Sequence, residues 1–233
     1  MALKPIEIKI IIFDLDDTLF DTHGLLIKPA AKESCQAMID AGLKTKLKGC
    51  LETREVLLNE HPRLDIFQQL VHKIGVEPHA KPEEVIEAGQ RAFYERPIRE
   101  KITVFNETKP TLTELQKKHA LYLVTFGAPR TQSKKIDQLE LDHFFKKIFY
   151  VDFAVSKSKI LAFEEIMTAH QVKPNQILSV GNRIDSEIKD AKILGMQTVL
   201  MSHGEYIHLM PQNDFEKPDA EIKNLSELLH LLK

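Results

Sequence analysis

Five short apolar runs rich in β-branched residues punctuate the chain: Ile8–Phe13, Leu121–Thr125, Ile148–Val151, Ile177–Val180 and Thr198–Met201. Their apolar character is continuous rather than alternating, which predicts strands buried on both faces of a parallel sheet. The segments between the last four runs change to helical spacing. Leu112 and Leu115 share one side of Pro110–Lys118, and Pro110 suits a first helical turn. Ile160, Phe163, Ile166 and Met167 repeat at helical intervals, as do Ile188, Ala191 and Leu194, after which Gly195 is a C-cap residue. Leu225–Leu232 closes the chain as a covering helix. Strands alternating with helices predict a doubly wound α/β domain with a parallel, Rossmann-like sheet.

From Thr22 to Thr103 the rhythm changes, because no strand-like run occurs there. Four helices are expected instead. Leu64, Phe67, Leu70, Val71 and Ile74 form an apolar stripe ending at Gly75. Pro82 opens a helix bearing Val85, Ile86 and Phe93, and Pro29 opens one containing Met38 and Ile39 that stops near Gly42. The pattern therefore divides the chain into an α/β core, residues 1–21 and 104–233, and an all-helical insertion, residues 22–103, with its own small core.

Composition adds exclusions. With 233 residues, 43% of them hydrophobic, there is apolar material for a sizeable core. A formal charge of −2 argues against wholesale binding to nucleic acid or anionic membrane, which usually needs a basic surface. The apolar stretch Ile10–Phe13 is far too short for a signal or membrane segment. The two cysteines, Cys35 and Cys50, lack metal-site spacing and read as reduced thiols of a cytoplasmic protein.

Candidate chemistry concentrates at Asp14-Leu15-Asp16-Asp17-Thr18, directly after the first strand. In extended chain Asp14 and Asp16 point the same way, at the carboxyl end of a strand where α/β sheets hold ligands. Adjacent carboxylates repel unless a cation or proton sits between them. Such a segment can supply a nucleophile, a general acid/base and a magnesium ligand. A turn or helix-capping cluster is the plain alternative for these residues.

Ile11-Ile12-Phe13-Asp14-Leu15-Asp16-Asp17-Thr18-Leu19-Phe20 resembles the first signature of the haloacid-dehalogenase-like superfamily. The resemblance implies that Asp14 attacks phosphorus to form an aspartyl phosphate. It implies that Asp16 protonates the leaving group and then activates water, its main-chain carbonyl helping to hold Mg2+. Leu123-Val124-Thr125-Phe126-Gly127 is similar to the second signature, with the Thr125 hydroxyl and neighbouring N–H groups, Phe126 among them, binding phosphate. Lys157 stands at the place of the phosphate-neutralising lysine. Lys159 competes for that role, since the proline usual after that lysine is replaced by Ser158. Ser179-Val180-Gly181-Asn182-Arg183-Ile184-Asp185-Ser186-Glu187-Ile188 resembles the acidic fourth signature. There the family commonly carries Asp at the positions of Asn182 and Glu187. Asn182 keeps an oxygen but no charge, Glu187 keeps the charge on a longer arm, and Asp185 between them is a further metal candidate.

These four segments, in family order across nearly the whole chain, identify it as resembling the phosphatase branch with a helical cap between the first two signatures. The resemblance implies a Mg2+-dependent hydrolase of a small phosphorylated metabolite. The dehalogenase branch generally lacks an acid at the position of Asp16. A sugar-phosphate mutase retains both aspartates and is one alternative, and a catalytically weak phosphometabolite-binding protein, favoured by Asn182, is the other. No glycine-rich phosphate loop or nucleophile elbow occurs, and His203 and His208, after the last strand, read as loop or surface residues.

Overall fold

The computed structural model describes residues 7–152 and 155–233. In chain order its main elements are β1 (Ile10–Phe13), α1 (Lys28–Asp40), α2 (Leu47–Glu60), α3 (Ile66–Ile74), α4 (Pro82–Tyr94), α5 (Thr108–Leu115), β2 (Ala120–Phe126), α6 (Pro129–Leu139), β3 (Ile148–Val151), α7 (Ile160–His170), β4 (Ile177–Gly181), α8 (Lys189–Ile193), β5 (Gln197–Met201), β6 (Ala220–Ile222) and α9 (Leu228–Leu231). They group into two compact units, Met1–Asp21 with Lys101–Lys233, and Thr22–Glu100.

The first unit is an α/β fold around one six-stranded sheet in the order β3-β2-β1-β4-β5-β6. Every neighbouring pair is parallel. β1 lies inside the sheet, with Phe13 opposite Leu123 on one side and Val180 on the other. Continuous burial explains its sequence. Ile10 and Ile12 pack with Tyr122, Val124, Phe163, Ile166, Ala191 and Met196, while Ile11 and Phe13 on the opposite face are fully buried. β6 has no counterpart among the apolar runs of the sequence. It is three residues long at the sheet edge, with only Ala220 and Ile222 turned inward. α6 is equally inconspicuous in the sequence, because few of its residues are apolar. The closing Leu225–Leu232 stretch is helical only in part, a 3-10 turn at Leu225–Glu227 followed by α9.

The second unit holds α1 to α4 around a core of Cys35, Met38, Leu43, Cys50, Leu57, Phe67, Leu70, Val71 and Val85. Local signals set its helix ends. The Asp65 carboxylate accepts from the Gln68 N–H at 2.9 Å and starts α3, and Gly75 ends it with a left-handed φ of 83°. Leu64, expected on the stripe, precedes the helix and is exposed. One expectation is corrected here: Cys35 and Cys50 form a disulfide rather than remaining thiols. Packing of α1 against α2 brings their Cα atoms to 6.0 Å with both side chains buried, a geometry that spacing in the chain does not reveal. The cysteines therefore give no argument for a reducing compartment.

This unit yields two expected outcomes. The disulfide spans 15 residues, and closing a loop of that size stabilises by about 3 kcal/mol. Reductant should therefore lower the thermal midpoint of the wild type, and leave a Cys35→Ser/Cys50→Ser variant unchanged, as read by calorimetry. The second outcome concerns Arg96, a nearly buried side chain that donates to Glu33 on α1 at 2.9 Å and to Glu100 at 2.9 Å through Nη1. The bond from Arg96 holds the Glu100 carboxyl down to about 2, below its ordinary 4.5. A depressed carboxyl stabilises above its unfolded-state pKa and loses that contribution as pH falls through its folded one. Glu100→Gln should thus destabilise at pH 7, with the difference from wild type shrinking between about pH 4.5 and 2 in denaturant titrations.

Candidate active site

The carboxyl ends of β1, β2 and β4 lie side by side, and the candidate side chains emerge there. Asp14 directly follows β1, and its N–H donates to the Val180 carbonyl at 2.9 Å, extending the pairing with β4 by one residue. The chain then turns: the Leu15 carbonyl accepts from Leu19 N–H at 3.0 Å, and Asp17 takes a left-handed φ of 55°. Asp14 is buried, and its Oδ1 accepts from Lys159 Nζ at 2.5 Å. The same ammonium reaches Glu187 Oε2 at 3.2 Å and lies 5.1 Å from the Phe126 ring centroid. Burial pushes the Asp14 carboxyl up and Lys159 pulls it down. Glu187 and Asp16 push it up again, and the net position is about 7. Burial alone would lower Lys159, but the charges and hydrogen bonds of Asp14 and Glu187 outweigh it and leave the ammonium raised.

Lys159, not Lys157, is thus the lysine at this site. Lys157 is exposed, whereas Lys159 is completely buried at the residue before α7. The selection is made by Asp190 on α8, whose Oδ2 accepts from the Lys159 N–H at 2.6 Å and from Ser158 Oγ at 2.9 Å. These bonds fix the loop so that the side chain at 159 turns inward.

Asp16 has hydrogen-bond partners of its own. Its Oδ1 accepts from Lys135 Nζ at 2.7 Å and its Oδ2 from Gln132 Nε2 at 2.9 Å. Gln132 Nε2 also donates at 2.6 Å to Thr125 Oγ1, on a fully buried residue near the end of β2. Gly127, with φ of 134°, makes room: a Cβ there would meet the Gln132 side chain at 3.1 Å. Its N–H donates to Val151, so it is already committed.

In the loop after β4 the expected site residues separate. Asn182 is buried, and its Nδ2 donates to the His203 carbonyl at 3.5 Å, which leaves Oδ1 as an oxygen donor. Glu187 is buried, accepting from the Arg183 N–H at 2.6 Å through Oε1 and from Lys159 through Oε2. Gly181 lies flat against it, and any Cβ at 181 would collide with the Glu187 carboxylate. Asp185 instead forms a two-pronged pair with Arg183, at 3.1 and 3.0 Å.

Four residues here stand outside the signatures read from the sequence as site residues: Gln132, Lys135, Asp190 and Asp21. The first two do carry a signal, since they lie three apart behind Pro129, a spacing that puts them on one helical face. Asp21 accepts from, or pairs with, His203 Nε2 at 2.9 Å, and with Asp17 the three offer ligand atoms within 4.8 Å of one another. Among the described residues no helix is long and apolar enough to cross a membrane.

Comparison with known proteins places this geometry. Residues 8–195 match the haloacid dehalogenase-like hydrolase family. The glyceraldehyde 3-phosphate phosphatase of Methanopyrus kandleri is 32% identical over 97% of this chain and 97% of its own. That of Pyrococcus furiosus is 33% identical over 97% of this chain and 94% of its own. Among solved structures, the Bacillus subtilis hydrolase YfnB, bound to magnesium, superposes with a TM-score of 0.63 at 22% identity, covering 97% of this chain and 99% of that one. With the ordered motifs now on one sheet edge and full-length relatives named as phosphatases, the chain belongs to the haloacid dehalogenase-like hydrolase family, as an enzyme of its phosphatase branch.

Proposed function

We propose that this enzyme hydrolyses a small phosphorylated metabolite with Asp14 as nucleophile, passing through an aspartyl phosphate and depending on Mg2+. The observation that carries the reading is the buried Asp14 carboxylate paired with Lys159 at 2.5 Å, beside Asp16 on the same sheet edge. Oδ2 of Asp14 accepts no hydrogen bond among the described residues, so one oxygen is left for phosphorus. In the first half-reaction a carboxylate oxygen of Asp14 forms a bond to phosphorus as the ester P–O bond breaks. The proton on Asp16 goes to the departing alkoxide, giving an alcohol. In the second, Asp16 takes a proton from water, the water oxygen bonds to phosphorus, and the P–O bond to Asp14 breaks. Phosphate leaves, Asp14 is again a carboxylate, and Asp16 is again protonated. Lys159 balances the charge of Asp14 and of the transferring phosphoryl group. Thr125 and the Phe126 main chain are the phosphate-binding candidates at the end of β2.

The donors fit magnesium. Asp14, the Asp16 main-chain carbonyl and Asn182 Oδ1 are hard oxygens, and the upward push on Asp14 from two neighbouring carboxylates marks negative charge in excess. Bound there, Mg2+ would supply charge neutralisation at the phosphate. Glu187, with both oxygens already engaged by Arg183 and Lys159, supports this set by orienting its neighbours, and Asp185 is directed to Arg183. The relatives' names support a short-chain sugar phosphate such as glyceraldehyde 3-phosphate as substrate. The helical unit, inserted between the first and second signatures with a core of its own, is the cap of this reading and the carrier of substrate choice.

Asp14→Asn should abolish steady-state turnover with the fold intact by circular dichroism, since an amide cannot form the acyl phosphate. Lys159→Met should lower kcat by about 10²–10³-fold, while Lys157→Met stays near wild type. Trapping phosphate on the Asp14→Asn protein, or a larger loss at Lys157 than at Lys159, would overturn the assignment.

Asn182 favours a second reading, in which weak metal binding leaves chiefly a phosphometabolite-binding protein. An amide keeps the oxygen but reduces the attraction to a dication. On the enzymatic reading, Asn182→Asp lowers the magnesium concentration for half-maximal activity several-fold, and calorimetric titration of Mg2+ shows the same shift. No turnover in either form, with phosphate esters still bound, would favour the second reading.

A further inference from the structure

We infer that Gln132 and Lys135 are positioning residues that clamp the Asp16 carboxylate so that it can serve as acid in the first half-reaction and base in the second. The inference rests on the phosphatase reading above and concerns two residues that reading does not use.

Three bonds define the clamp. Lys135 Nζ donates to Asp16 Oδ1 at 2.7 Å, and Gln132 Nε2 donates to Asp16 Oδ2 at 2.9 Å and to Thr125 Oγ1 at 2.6 Å. Both donors come from one face of α6, three residues apart. Thr125 is fully buried on β2, so Gln132 ties the carboxylate to the rigid sheet rather than to a mobile loop. Lys135 also lies 5.9 Å from the Phe20 ring centroid, alongside the turn that carries Asp16.

Burial gives the arrangement its meaning. Gln132 is 2% exposed and Lys135 8%, on a helix whose residues are mostly polar. Lysine is almost never that buried unless a charge partner compensates its lost hydration. The compensating partner is the Asp16 carboxylate, whose own side chain is 29% exposed. An aspartate that open would otherwise sample several rotamers. With a donor on each oxygen, the rotamer is fixed. The same carboxylate must release a proton to the leaving oxygen and later accept one from water, so its placement enters both steps. A displacement of about 1 Å can cost on the order of 10²-fold in rate.

A leaving-group comparison on the full-length, Mg2+-loaded enzyme tests this. Expulsion of p-nitrophenolate needs no proton, whereas expulsion of an alkoxide from glycerol 3-phosphate does. In rapid-quench experiments Lys135→Met and Gln132→Leu should keep a near-normal p-nitrophenolate burst, because phosphorylation of Asp14 is spared. Steady-state kcat should fall about 10²-fold with both substrates, and the first turnover should fall with glycerol 3-phosphate only; with p-nitrophenyl phosphate KM should fall alongside kcat, because kcat/KM reports the spared phosphorylation step. Lys135→Arg should recover most of the loss, and Gln132→Glu, which sets a carboxylate against Asp16, should not. Equal loss of the burst with both substrates would indicate a merely structural role and overturn the inference. So would a Lys135→Met enzyme with wild-type kcat while Asp16→Asn is severely impaired, an outcome that leaves the phosphatase reading standing. A fully active Asp16→Asn enzyme would instead overturn that reading's acid/base assignment. If Lys135→Met does not fold, Gln132→Leu and Lys135→Arg decide alone, by the same burst criterion.

Discussion

The contact between Lys159 and Asp14 constrains everything else at this sheet edge. Both groups are almost wholly removed from water, and neither could be charged there alone. Removing one partner from such a pair typically costs roughly 3–5 kcal/mol, because it leaves a buried charge without compensation. The ammonium must therefore be delivered to Asp14, and the fold does so from three directions. β1 brings Asp14, the loop before α7 brings Lys159, and the turn after β4 brings Glu187 to the same nitrogen. Asp190 in turn fixes the Lys159 main chain. A sheet order with β1 between β2 and β4 is what makes these arrivals simultaneous.

Around that pair the acidic groups divide their labour by their partners. Asp14 faces a lysine, Asp16 faces Lys135 and Gln132, and Asp185 faces Arg183. Carboxylates so close in sequence are thereby kept from acting as one undifferentiated cluster. Two aspartates two residues apart meet different cations, and that difference underlies the separate roles proposed for them.

Much of this is legible in the sequence, for identifiable reasons. Strands buried on both faces must be apolar without interruption, so β1 to β5 announce themselves, whereas the three-residue edge strand β6 buries only Ala220 and Ile222 and carries too little pattern. Asp14, Asp16, Thr125, Asn182 and Glu187 sit in local segments whose order matches a family. Spacing alone favours Lys157 over Lys159, and spacing cannot register that Asp190, far along the chain, anchors the loop. Gln132 and Lys135 escape notice for the opposite reason: a polar helix face ordinarily means solvent, and here it is turned inward. The Cys35–Cys50 bridge depends on how α1 and α2 pack, which no local pattern encodes.

The central place of β1 bears on how the chain is made. Ile10 needs Ala120 on one side and Ile177 on the other, so β1 waits over a longer stretch of chain for its two neighbours than any other strand of the sheet. At about 5–20 residues per second, a ribosome takes on the order of ten seconds or more to supply the second neighbour. Until β2 is made, Ile10-Ile11-Ile12-Phe13 is an apolar segment with strong β-propensity and no strand partner, and until β4 follows it keeps one open edge for association with other nascent chains. The helical unit lies within Thr22–Glu100, so all of its chain is made before β2 and it can fold meanwhile. The segment that leads directly into Asp14 is thus the one that waits longest in an association-prone form before the sheet closes around it.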